Sequence, residues 1–263
     1  MILSKARSRP AIAQPRRQMR GLGAEWKIAG YGFATAVVLY AISFTRFVCS
    51  AIVTLFHEFG HAVAGWIMGY PSLPAFDLIY GGGVTQHGEF RTSLAIAIAA
   101  VFVVLTWRLR EMRKAMIVIA VVFLVWLLLV TREWRRDLII ATAGHISELT
   151  LAGVFLYKAL TGAGLKHPDL ERPLNAVVAF FVQINSFLFA RRLLHDPEFL
   201  SWYREGKGGA IMNDLESIAL SLQIWLAARV EIDDIARLLM WLSVAPAIVA
   251  IACYLTRERM EAP

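Results

Sequence analysis

Charged residues are scarce in this chain of 263 residues. Asp, Glu, Lys and Arg together make up 18% of it, whereas 58% of the residues are hydrophobic, and the mean hydropathy is +0.57. A soluble domain carries about 25% charged residues, so this apolar excess is too large for a single soluble core. The same composition excludes a disordered chain, which needs a low apolar content. We therefore expect a membrane protein.

Cysteine is nearly absent as well. The two cysteines, Cys49 and Cys253, both lie inside apolar blocks, so we expect no disulfide framework. No secretory signal peptide is expected, because no short apolar region with a small-residue cleavage site follows the basic pair Arg16 and Arg17.

Acidic residues are missing from the first 23 residues, which carry several basic ones. These are Lys5, Arg7, Arg9, Arg16, Arg17 and Arg20. An organelle transit peptide has this composition, but the positive-inside rule favours a cytoplasmic tail over residues 1–26. The basic residues elsewhere lie between apolar blocks rather than along one folded face, so the net charge of +7 does not indicate a nucleic-acid partner.

Apolar blocks follow one another along the rest of the chain. They are Ile28–Thr45, Cys49–Met68, Ser93–Trp107, Ala115–Val130, Leu138–Leu160, Leu174–Ala190, Leu215–Ala228 and Leu238–Leu255. A helix needs about 17 to 25 residues to cross a bilayer, and the third and seventh blocks are short for this. We expect an all-α, polytopic membrane fold over residues 27–263, with six to eight transmembrane helices.

The second apolar block contains the pattern His-Glu-x-x-His, formed by His57, Glu58 and His61. Helical residues four apart lie on one face, about 6 Å apart along the axis. Both histidines could therefore bind one zinc ion, with Glu58 beside it to deprotonate a bound water. A charged residue at the centre of a span costs about 2.5–3.5 kcal/mol, and a metal would compensate for it. The alternative is a hydrogen-bonded His–Glu pair that stabilises helix packing.

A catalytic zinc site needs a third protein ligand and an open position for water. One candidate is Asp214, where a polar loop enters an apolar segment. The other is the pair His145 and Glu148, which lie three residues apart on one face of a long block. This pair could instead orient a metal ligand, form a second metal site, or be a purely structural buried pair.

The segment Phe56–Gly69 resembles the motif helix of site-2 protease-type intramembrane zinc metalloproteases, including Gly60 before the second histidine. The stretch Pro71–Arg91 resembles the β-hairpin loop that the family places beside its active site. The resemblance implies that a short hairpin follows the motif helix, and that its residues Gly82, Gly83 and Val84 contact an extended substrate.

The same family takes its third zinc ligand from an Asp that is usually followed by Gly, and the resemblance assigns this role to Asp214, which Leu215 follows here. The stretch Ala143–Gly153 resembles the family's Gly-Pro-x-x-Asn helix, with His145 in place of Pro and Glu148 in place of Asn.

Together these features predict an intramembrane zinc metalloprotease that hydrolyses peptide bonds of membrane-spanning substrates. The nucleophile would be a zinc-activated water, with Glu58 as general base. Because of the departures at His145, Glu148 and after Asp214, an inactive relative that binds zinc or membrane partners is an alternative. A transporter is another, since buried His and Glu also mark ion pathways, although no repeated halves are visible. The oligomeric state is not predicted.

Overall fold

The computed structural model describes residues 23–77, 82–205 and 212–261. Within these ranges the chain is mostly helical, with one small antiparallel sheet. The elements are α1 (Gly23–Ala41), α2 (Ser43–Ile67), β1 (Ser72–Asp77), β2 (Gly82–His87), α3 (Thr92–Arg108), α4 (Arg113–Val130), α5 (Glu133–Thr161), α6 (Pro168–His195), α7 (Pro197–Glu205), α8 (Asp214–Leu226), α9 (Ile232–Leu242) and α10 (Ala245–Glu261). Helix α1 begins inside the segment expected as a tail, and residues 1–22 lie outside the described ranges.

Five helical segments in the described part of the chain are long and apolar enough to cross a membrane. They are α2, α4, α5, α6 and the stretch Ile232–Met260, which comprises α9 and α10. Helix α3 is a shorter apolar helix. Only 11% of the α4 window is buried inside the protein, so most of its apolar surface is free to face lipid. Membrane localisation is thus supported, while the count of six to eight spans stays a prediction.

Helix α5 is the central element, because α2, α6, α8 and α10 all pack against it. Helix α1 packs mainly on α6. Helices α5, α6, α8 and α9 share one buried apolar cluster, which anchors the start of α8 against α5. The two helices that matter for the site, α2 and α8, are therefore both held on α5.

Helices α2 and α5 come into close backbone contact at Gly60. A Cβ atom at this position would overlap both the Ser147 hydroxyl and the Ala143 carbonyl oxygen. Ser147 Oγ also donates to the carbonyl oxygen of Phe56 at 2.5 Å. Small residues let membrane helices approach closely where lipid offers no hydrophobic driving force. This contact brings the His-Glu-x-x-His turn of α2 directly onto α5.

Strands β1 and β2 form the hairpin that the resemblance implies after α2. Ser72 pairs with His87 and Asp77 with Gly82; residues 78–81, between the strands, lie outside the described ranges. The hairpin packs on α2, where Trp66 Nε1 donates to the Ser72 carbonyl oxygen at 2.7 Å. Gly69, with φ of 92°, makes the turn from α2 into β1, a conformation that L-residues with a side chain adopt at a cost.

We expect Gly60→Ala to destabilise the protein, because the added methyl group forces α2 away from α5. Overpacking of this kind costs about 1–3 kcal/mol. The measurement is thermal unfolding of the purified protein in detergent. The matched control is Gly30→Ala in α1, where a Cβ atom meets nothing within 4 Å. An unfolding temperature for Gly60→Ala equal to that of the control would contradict the close contact.

Candidate metal centre

Three side chains from two helices bring their ligand atoms together beneath the hairpin. The Nε2 atoms of His57 and His61 lie 2.9 Å apart. Asp214 Oδ2 lies 2.8 Å from His57 Nε2 and 3.2 Å from His61 Nε2. Both histidines come from α2, one turn apart, and Asp214 is the first residue of α8. This arrangement joins the two predicted histidines to the aspartate.

Asp214 is placed by the residues around the start of α8. The Asn213 backbone N–H donates to the Glu216 carboxylate at 3.3 Å. The Asn213 side-chain amide donates to the Tyr203 carbonyl oxygen. The Leu215 N–H donates to the Tyr203 hydroxyl at 3.3 Å, and Leu215 is fully buried. Burial raises the pKa of Tyr203, which keeps this hydroxyl neutral. The start of α8 is thus fixed to α7.

The second ring nitrogen of His61 has a clear partner on α5. His61 Nδ1 lies 2.7 Å from the carbonyl oxygen of Ile140. A carbonyl can only accept, so Nδ1 carries the proton and Nε2 keeps a free lone pair directed at His57 and Asp214. Such a hydrogen bond fixes the tautomer and orientation that a metal-binding histidine needs.

Gly144 on α5 leaves the room that the two histidine rings occupy. A Cβ atom at this position would overlap His61 Nε2 and would lie 2.6 Å from His57 Cε1. No residue with a side chain fits there without moving the rings. The cluster therefore depends on a glycine of the neighbouring helix as well as on its own ligands.

Glu58 is buried beside the cluster, with 6% of the residue exposed. Thr85 Oγ1, from β2, lies 2.7 Å from Glu58 Oε2 and 3.0 Å from the Glu58 carbonyl oxygen. A Cβ atom on Gly83 would lie 2.6 Å from Glu58 Oε1. The hairpin thus orients the Glu58 carboxylate with a hydroxyl and makes room for it with a glycine.

A cavity of about 230 Å³ opens between the hairpin, α2, α5 and α8. Its lining comprises Glu58, His61, Tyr70, Val84, Thr85, His87, Asp137, Ile140, Ala141, Met212, Asp214 and Ser217. The cavity therefore offers a substrate access to Glu58, His61 and Asp214.

The expected substrate-contacting residues fall on β2, but at different depths. Val84 lines the cavity and Gly83 lies against Glu58, whereas a Cβ atom on Gly82 would meet nothing within 4 Å. His87 ends β2, where its Nδ1 lies 2.8 Å from Ser72 Oγ. It lines the cavity and remains exposed, and partial desolvation lowers the pKa of its imidazole.

The pair His145 and Glu148 is separate from the three-residue cluster. His145 Nδ1 lies 2.7 Å from Glu148 Oε1, and the same oxygen lies 3.9 Å from His57 Nδ1. These two residues form a second potential metal-binding group with His57, whereas Asp214 groups with His57 and His61. Asp214 is thus the acid that contacts both histidines of the motif.

The first cluster can hold a metal ion. Two imidazole nitrogens and one carboxylate oxygen, largely buried, form a donor set that suits a divalent metal. Ligand atoms around a tetrahedral ion with bonds of about 2.0–2.1 Å lie about 3.3 Å apart. The observed separations of 2.8 to 3.2 Å are slightly shorter, so the three side chains would open by a few tenths of an ångström around an ion.

Comparison with known proteins adds no relative: no protein-family model, curated protein or solved structure matches this chain. The assignment of the site therefore depends on its geometry.

We expect Gly144→Ala to weaken metal binding strongly, because the new methyl group displaces both histidine rings. The measurement is zinc affinity of the detergent-solubilised protein by competition with a chelator. Gly153→Ala on the same helix is the control, since its Cβ atom would meet Pro246 at an ordinary 3.6 Å. Equal zinc affinities for the two variants would show that the rings do not need the space at Gly144.

Proposed function

We propose that this protein is a zinc metalloprotease that hydrolyses peptide bonds of membrane-spanning substrates. The observation that carries the proposal is the convergence of His57, His61 and Asp214 beside the buried carboxylate of Glu58, at one wall of a cavity. Helix α2, which supplies both histidines and Glu58, is one of the candidate spans. The reaction would therefore take place within or near the bilayer.

The donor set favours zinc over other biological divalent ions. Calcium and magnesium prefer oxygen ligands only, whereas two histidines and one carboxylate are typical of catalytic zinc sites. Three protein ligands also leave the fourth tetrahedral position open to a water or a substrate oxygen. When bound, zinc would supply Lewis-acid polarisation of the scissile carbonyl and a water that is easily deprotonated.

Glu58 would move the protons of the reaction. As general base its carboxylate accepts a proton from the attacking water, and as general acid it returns that proton to the leaving amine. The hydroxyl of Thr85 holds Oε2 in place, which leaves Oε1 for the reacting groups. Proton transfer by a positioned carboxylate contributes about 10²- to 10⁴-fold to a rate.

The substrate must reach this site in an extended form. A transmembrane helix hides its carbonyls in its own hydrogen bonds, so local unwinding has to precede hydrolysis. An exposed strand edge can pair with an extended peptide. Strand β2 carries Gly83 against Glu58 and Val84 on the cavity wall, with Gly82 before them. We propose that these residues guide the unwound segment toward the metal.

Peptide hydrolysis by the Glu58→Gln variant tests the proposed activity. This substitution preserves the size of the side chain and removes the general base. We expect cleavage of a fluorescently labelled single-span peptide in detergent to fall by about 10²-fold or more, with zinc content unchanged. Glu133→Gln, at the exposed start of α5, is the control and should cleave normally.

Two results contradict the protease. Equal cleavage by wild type and Glu58→Gln would exclude the general base. Zinc-loaded wild type that leaves a panel of single-span peptides intact would favour the second candidate, a non-catalytic metal-binding membrane protein. The observation that favours this candidate is the hydrogen-bonded pair of His145 and Glu148. It lies next to the candidate metal centre and does not line the cavity.

Metal analysis tests the ligand set independently of activity. We expect wild type to bind one equivalent of zinc, and His57→Ala, His61→Ala and Asp214→Ala to lose it, because two remaining ligands hold zinc too weakly. Asp233→Ala changes the corresponding first-turn acid of α9 and should retain zinc. If Asp214→Ala kept zinc and His145→Ala lost it, Asp214 would not be the third ligand.

A further inference from the structure

We infer that Glu148, held in place by His145, is a positioning residue that orients the metal ligand His57. This inference rests on the proposed function, because it requires a metal ion at His57 Nε2. The two residues come from α5, which faces the histidines of α2. They do not line the cavity, and His57 is the one residue that their potential metal-binding group shares with that of His61 and Asp214.

The protonation of His57 is set by its role as a ligand. A metal at Nε2 takes the lone pair of that nitrogen, so the ring proton has to reside on Nδ1. The His57 side chain is 16% exposed, and a largely buried N–H inside a span needs an acceptor. Glu148 Oε1 lies 3.9 Å from this nitrogen, and within the described residues His57 Nδ1 has no closer hydrogen-bond partner.

The two candidate ligand histidines would then share one arrangement, in which Nδ1 donates to an acceptor on α5 and Nε2 faces the metal. His61 already has its Nδ1 at 2.7 Å from the Ile140 carbonyl oxygen. Glu148 would serve His57 in the same way, but with a charged acceptor. Closing 3.9 Å to the about 2.7–2.9 Å of a charge-assisted hydrogen bond needs a combined shift of about 1 Å between the His57 ring and the Glu148 carboxylate.

His145 explains why the carboxylate is already aimed at this point. Its Nδ1 lies 2.7 Å from the same oxygen, Glu148 Oε1, which restricts the rotation of a side chain that is only 4% exposed. No lysine or arginine pairs with Glu148 in the described part of the chain. A divalent cation on the far side of the His57 ring would stabilise a carboxylate buried here.

A second metal ion bound by His57, His145 and Glu148 is the main alternative, since one ligand atom from each lies within 4.8 Å of the others. It would require His57 to give up both ring protons in order to bind two ions. The hydrogen bond in which His145 Nδ1 donates to Glu148 Oε1 would also have to give way if these two atoms were to bind a metal ion. Positioning needs neither change, and the geometry therefore favours it.

The test is a zinc-affinity series by chelator competition on the full-length protein in detergent, without substrate. We expect Glu148→Gln, which keeps the shape but removes the charge, to weaken zinc binding by about 10- to 100-fold. Glu148→Leu should weaken it further, and Glu148→Asp should recover part of the loss. All variants should still bind one equivalent at saturating zinc. The control is Gln183→Leu, a buried polar residue of α6 whose side chain bonds within its own helix.

Two further measurements separate positioning from a structural role. The absorption spectrum of the cobalt-substituted protein should shift in Glu148→Gln, because the ligand field that His57 exerts on the metal changes. The unfolding temperature of metal-free Glu148→Gln should match that of the metal-free control variant. Unchanged zinc affinity in Glu148→Gln and Glu148→Leu would overturn the inference. So would two zinc equivalents in wild type, one of which is lost in His145→Ala. Because no proteolysis is measured, failure of the Glu58→Gln test leaves this series interpretable.

Discussion

The close contact between α2 and α5 is the constraint on which the candidate site depends. Glycines on both helices make it possible, since a Cβ atom at Gly60 would overlap α5 and one at Gly144 would overlap the histidine rings. Because α5 lies so near, its backbone can also serve the site, as the Ile140 carbonyl does for His61. A side chain at either glycine would separate the helices and remove this support.

The polar groups of the site lie in a chain that otherwise offers few polar partners. Glu58 is oriented by Thr85 of the hairpin, and Glu148 by His145 of its own helix. A buried polar group without a partner is costly in a low-dielectric interior, so each of these contacts stabilises the span that carries it. The few ionisable residues of the apolar blocks thus form a small polar centre inside an apolar helical bundle.

Much of the architecture was predictable because its signals are local. Long apolar blocks predict helices, and the described residues contain five helical segments suited to a membrane. The four-residue spacing of His57 and His61 predicts that they share a helical face, and their Nε2 atoms lie 2.9 Å apart. The hairpin after α2, which the resemblance of Pro71–Arg91 implied, is confirmed. The zinc, the proteolysis and the orientation of the N-terminus stay predictions.

The sequence by itself determined the helical, membrane-directed character of the chain and the pairing of two histidines with Glu58, because hydropathy and helical periodicity act over a few residues. Only the tertiary structure decided which acid meets those histidines: Asp214 is 157 residues from His57, and the choice between it and Glu148 depends on how α5 and α8 cross α2. The same holds for Thr85 and Gly144. Their roles follow from close approaches between distant segments, which no local pattern encodes.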